Sequence, residues 1–153
     1  MVKFESIYGP IIIREIGDST IVNVSDRVSG AYAYQHTVKV VFEGKSAQFP
    51  FISSICDYDA GKKKLSDDNL HHALEYWLSD GIHADMDFED FCDEFGYYMW
   101  ADDPDEATSE GYDKKSFKIY KACEKARDQA QRLGITLDAA YEISDEIREA
   151  GYE

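Results

Sequence analysis

Residues 32–52, YAYQHTVKVVFEGKSAQFPFI, decide the fold. The run from Tyr32 to Phe42 is rich in β-branched and aromatic side chains, which suit a pleated, half-buried surface. Glu43-Gly44-Lys45 is a turn signal, and residues 47–52 run back as a second strand. So short a connection makes the two strands antiparallel neighbours. Pro50 has no N–H to give to a ladder, so this last strand belongs at an edge or a bulge. Upstream, residues 2–7, 10–16 and 19–24 alternate or carry β-branched runs, separated by Gly9-Pro10 and Gly17-Asp18. Ser29-Gly30 separates the third of them from Tyr32. Residues 1–56 therefore read as an antiparallel β half of about five strands.

After a polar connector, residues 57–65, the period changes from two to 3.6. Leu70, Ala73, Leu74, Trp77 and Leu78 lie on one helix face, with Ser66 or Asp67 as cap and Gly81 past the end. A short helix over 88–95 carries the stripe Phe88, Phe91, Cys92, Phe95, with Asp87 as N-cap. A third, over 114–133, turns Phe117, Tyr120, Cys123, Ala130 and Leu133 inward and stops at Gly134. A fourth follows Thr136 and uses Leu137, Ala140, Tyr141 and Ile147. Strands first and helices afterwards give an α+β class, with about four helices of an acidic half, 66–153, packed on the sheet in one compact domain.

The 153 residues carry 16 basic and 31 acidic side chains, a net charge of −15. Phosphate backbones and anionic membranes repel such a chain, so direct nucleic-acid binding and membrane association are not expected. No apolar run reaches the roughly 18 residues of a membrane span, and no signal peptide is recognisable. Cys56, Cys92 and Cys123 are odd in number and widely spaced, which favours a reduced, cytoplasmic setting.

The charge is local. Residues 65–113 hold 16 acidic side chains and neither Lys nor Arg, whereas the flanking segments are nearly balanced. Glu89, Asp90, Asp93 and Glu94 alternate with the apolar stripe of the short helix, so its outer face is all carboxylate. Like charges this close repel, and helix-dipole stabilisation of about 0.3–1 kcal/mol reaches only the first turn. Duplex DNA presents one charge per about 1.7 Å of axis, and a comb of carboxylates can occupy a cleft made for phosphates. Asp85, Asp87, Glu89, Asp90, Asp93, Glu94, Asp102, Asp103, Asp105 and Glu106 would supply that charge, with Tyr98 and Trp100 as anchors. The bland alternative is a solvated, solubilising face.

Asp85-Met86-Asp87-Phe88-Glu89 has the spacing that opens an EF-hand loop, but Asp90 and Gly96 stand where Gly and Glu are needed. His71, His72 and Glu75 share a helix region but no third or fourth zinc ligand joins them, so these histidines read as exposed. His36 reads as half-buried in its strand, and His83, near Asp80 and Asp85, as raised in pKa by its acidic neighbours. No nucleophile elbow, P-loop or dinucleotide fingerprint occurs. Cys92 with His83 is the one local thiol–imidazole pair, and the stripe turns Cys92 to the core. Neither a metal, a cofactor nor an enzyme activity is expected.

Residues 87–97, DFEDFCDEFGY, and 118–123, KIYKAC, resemble a recurring C-terminal segment of small uncharacterised proteins of bacteriophages and mobile elements. In that group the two pieces are nearly continuous; here an insertion from Tyr98 to about Tyr112 parts them. The resemblance implies a phage or mobile-element origin in a bacterial cytoplasm and no particular activity. Small acidic phage proteins such as anti-restriction and some anti-CRISPR proteins block host enzymes by occupying nucleic-acid sites. The expected partner is thus a host nucleic-acid-binding protein or effector complex. A phage accessory or scaffold role is the alternative, and the long strand 32–42 offers a surface for pairing across a homodimer.

Overall fold

A computed structural model describes residues 1–23, 32–52, 64–94 and 114–151. Four strands form one antiparallel meander in the order β1 (Val2–Ser6), β2 (Gly9–Asn23), β3 (Tyr32–Phe42), β4 (Lys45–Ile52). Four helices follow: α1 (Asp67–His83), α2 (Phe88–Glu94), α3 (Lys114–Arg132) and α4 (Leu137–Ala150). The chain is α+β, with helices on one face of the sheet.

The strand count is four rather than about five, because residues 10–16 and 19–23 belong to one strand. Its register passes from Ile16 opposite Thr37 to Thr20 opposite Gln35, so Gly17, Asp18 and Ser19 bulge against His36. Gly17, at φ +67°, makes the kink without steric cost. The unbroken β3 pairs with both pieces and keeps them collinear. Residue 24 lies outside the described residues. Glu43 and Gly44 both take positive φ, 50° and 78°, as a two-residue hairpin whose twist matches its strands requires. Pro50 stands on the edge strand β4, where its missing N–H costs least. β3 is flanked on both sides over Gln35–Phe42, so it offers no free edge for pairing across a dimer there.

Alternation sends Val2, Phe4, Ile11, Ile13, Val38, Val40, Phe42 and Phe49 to the helix-covered face. Leu70, Ala73, Leu74, Trp77 and Leu78 of α1 meet them, and Ile143 and Ile147 of α4 complete one continuous core. Ser66 Oγ caps α1 by accepting from the Asn69 N–H, and Thr136 caps α4 in the same way. Tyr8 on the first hairpin donates to Glu142 Oε2 over 2.8 Å, which ties α4 to the sheet edge.

Three helical expectations need correction. Gly81 does not close α1; it lies buried inside it, where a Cβ would stand 3.2 Å from the Arg127 backbone of α3. The two helices touch because this residue has no side chain. Gly81→Leu should therefore cost about 2–3 kcal/mol in urea unfolding, despite a helix-propensity gain near 1 kcal/mol. A more stable variant would contradict that close approach. Tyr141 and Phe117, placed on apolar stripes, are 49% and 40% exposed. The stripe of α4 is satisfied by Ile143 and Ile147, and Phe117 lies at the rim with its edge against Phe88.

The histidines also differ from expectation. His71 is buried, its ring edge-on to Phe4 and its Nδ1 2.8 Å from the Asp67 carbonyl. His36 is wholly buried, and its Nδ1 meets Glu15 Oε2 at 2.8 Å. His83 is lowered in pKa, not raised, because burial outweighs the nearby Glu94 charge.

Candidate acidic interface

The segment from Ala84 to Glu94 is seated by a small apolar cluster apart from the main core. Phe91 is buried with Ala84 and Cys123, and Met86, Phe88, Ile119 and Tyr120 close around them. Phe91 and Tyr120 rings lie 5.3 Å apart, and Phe88 meets the same tyrosine at 5.5 Å. Two side chains of α3 then hold the turn before α2 by its carbonyls. Tyr120 donates its hydroxyl proton to the Met86 oxygen, and Arg127 Nη1 donates to the Ala84 oxygen over 2.8 Å. Burial raises the Tyr120 hydroxyl above its ordinary pKa.

This seat fixes which way the acids point. Asp85, Asp87, Glu89, Asp90, Asp93 and Glu94 are all exposed. Asp87 also holds the local structure, since its Oδ1 accepts from the Asp90 N–H over 2.8 Å and caps α2. Among the described residues no salt bridge engages Asp85, Glu89, Asp90, Asp93 or Glu94. Six carboxylates are thus gathered on one short helix and the turn before it, five of them without a cap or ion-pair role among the described residues. Tyr98, Trp100, Asp102, Asp103, Asp105 and Glu106 lie outside the described residues.

Elsewhere in the acidic stretch the carboxylates have other partners. Glu75 is held by Arg148 of α4 at 2.7 Å, so it belongs to the helix packing rather than to a free surface. Asp67 and Asp68 occupy the first turn of α1, where the helix dipole favours them. Cys123 is buried, and its thiol is pushed up to about 12, first by burial and then by the Asp80 charge, so it stays protonated at neutral pH. The side chain of Cys92 and all of Cys56 are outside the described residues. Among the described residues no group of three or more His, Cys, Asp or Glu is arranged to hold a metal ion, and no helix is long and apolar enough to cross a membrane.

Asp80 is the acid whose setting sequence pattern did not reveal. It lines an open groove of about 250 Å³ with Phe49, Phe51, Tyr76, Trp77 and Lys125. Its outer edge is exposed, yet the apolar walls desolvate the carboxyl and raise it to about 6 from 3.8. Between those values the folded chain binds more protons than the unfolded one, so stability falls as pH rises through the window. Asp80→Asn removes that loss. Allowing for the solvent at its edge, the gain near neutral pH is about 1 kcal/mol, or about 2–4 °C in Tm. Melts below about pH 3, well under both values, where both states are protonated, should show no gain. An equal gain at both pH values would contradict the assignment.

No protein-family model, curated protein or solved structure matches the chain.

Proposed function

We propose that the chain inhibits a nucleic-acid-binding effector of a bacterial defence complex by occupying its DNA or RNA site. The class is that of anti-CRISPR or anti-restriction proteins, encoded by a phage or mobile element and acting in the host cytoplasm. One observation carries this: exposed carboxylates that have no salt bridge among the described residues are concentrated on α2 and its preceding turn, within a stretch that lacks Lys and Arg. A globular surface meant only for solubility mixes both signs, because interspersed cations relieve repulsion. Asp85, Glu89, Asp90, Asp93 and Glu94 supply phosphate-like charge, and Asp102, Asp103, Asp105 and Glu106 extend it. Tyr98 and Trp100 anchor the contact. Binding is competitive and needs no catalysis, metal or cofactor. Charge complementarity speeds association and makes it salt-dependent.

The structural contacts of Asp87 and Glu75 favour one second role, that of a phage accessory or scaffold protein whose remaining acids are merely solvated. Capture on the immobilised chain from bacterial lysate, eluted in salt steps, separates the two. Inhibition predicts a nucleic-acid-binding protein that leaves with rising salt. An accessory role predicts none.

A further inference from the structure

The groove beside Asp80 lies between the edge strand β4, α1 and α3. Its floor and walls are mostly apolar: Phe49 and Trp77 stack at 5.0 Å, and Phe51 and Tyr76 stack at 6.2 Å, while Asp80, Lys125 and Gln129 are its polar lining. Among the described residues Asp80 is the only carboxylate of the lining, and no cation forms a salt bridge with it. Lys125 also lines the groove, but among the described residues it forms no salt bridge with Asp80. The volume of about 250 Å³ falls below the roughly 300–1,000 Å³ of pockets for small organic ligands, so it suits a side chain better.

The groove and the seat of the acidic helix share α3. Ala122, Lys125 and Ala126 of α3 line it, while Ile119, Tyr120 and Cys123 of the same helix seat α2. The Asp80 charge is felt at Cys123, between the two features. Both features therefore stand on one helix, α3.

We propose that the groove is a docking slot for one arginine side chain of a basic partner polypeptide, its stem along the aromatic wall and its guanidinium on Asp80. This rests on the reading that the partner is cation-rich, and it adds a specific contact to a diffuse field. Arg is preferred over Lys because its planar fork matches a carboxylate and its weaker hydration makes desolvation cheaper. Its methylene stem covers apolar surface while the charged head stays at the rim. Such a pairing would draw the raised Asp80 carboxyl back down.

The test is an NMR titration of the whole chain at low salt with acetyl-Leu-Arg-Leu-amide, and with the same peptide carrying citrulline, which keeps the shape and removes the charge. The Trp77 indole N–H and the Asp80 carboxyl are the reporters. The arginine peptide should shift both saturably and bind at least about tenfold tighter than the citrulline peptide. Asp80→Asn should erase that difference. Equal affinities, or shifts confined to α2, would overturn the slot. A variant with Glu89, Asp90, Asp93 and Glu94 all changed to Lys should still discriminate the peptides, so loss of the slot and loss of the acidic interface are read separately.

Discussion

Changing Glu89, Asp90, Asp93 and Glu94 together to lysine should abolish binding to the proposed effector while the fold survives. All four side chains are exposed, and none has a salt bridge among the described residues. The cap by Asp87 and the seat of Phe91 against Cys123 do not involve their side chains. The cost to folding is the unfavourable dipole of lysines in the first turn, about 0.3–1 kcal/mol for each of Glu89 and Asp90. Repulsion along the helix is only inverted in sign. For the partner, the change replaces attraction over a whole helix face by repulsion, and like charges set against each other cost several kcal/mol. Affinity should fall by at least about a hundredfold, while the circular dichroism spectrum is preserved. Undiminished inhibition by this folded variant would sink the mimicry.

The largest loss of stability is expected at Glu15. Its side chain is 8% exposed and joins three elements. One carboxylate oxygen accepts from the Leu65 N–H over 2.7 Å, at the entrance to α1, and the other meets His36 Nδ1 at 2.8 Å. Glu15→Leu leaves two buried donors without acceptors. Each costs about 1–3 kcal/mol, so the variant should lose about 3 kcal/mol by urea unfolding. Glu15→Gln keeps one accepting oxygen and should lose about half as much. A loss below about 0.5 kcal/mol for the leucine variant would mean that the carboxylate is dispensable, as surface substitutions are.

Much of this architecture is written in local pattern. Alternation in residues 32–42 and the turn at Glu43-Gly44 define the central hairpin, and the stripe Leu70 to Leu78 defines the helix that covers it. The same alternation carries Glu15 after Ile11 and Ile13, and His36 before Val38, onto the core face. Their pairing was therefore accessible, but a charged residue at an inward position reads as a break in pattern until its partner is known. Two features depend on contacts far apart in sequence. Gly81 resembles a helix stop because close approach to α3 has no local signature. Residues 10–16 and 19–23 look like two strands because the β3 segment bridging the bulge lies downstream. The acidic face of α2 was legible because one short helix carries both stripe and charge. The groove at Asp80 was not, since strand β4 and helices α1 and α3 each supply only part of its wall.

The decisive measurement for the proposed mimicry is competition for one effector. The captured effector, once purified, is bound to labelled duplex DNA or to its guide RNA and titrated with the chain. Mutually exclusive binding is predicted, with nucleic acid released in proportion to the chain bound and the midpoint moving as salt is raised. A stable ternary complex of effector, nucleic acid and chain would contradict it.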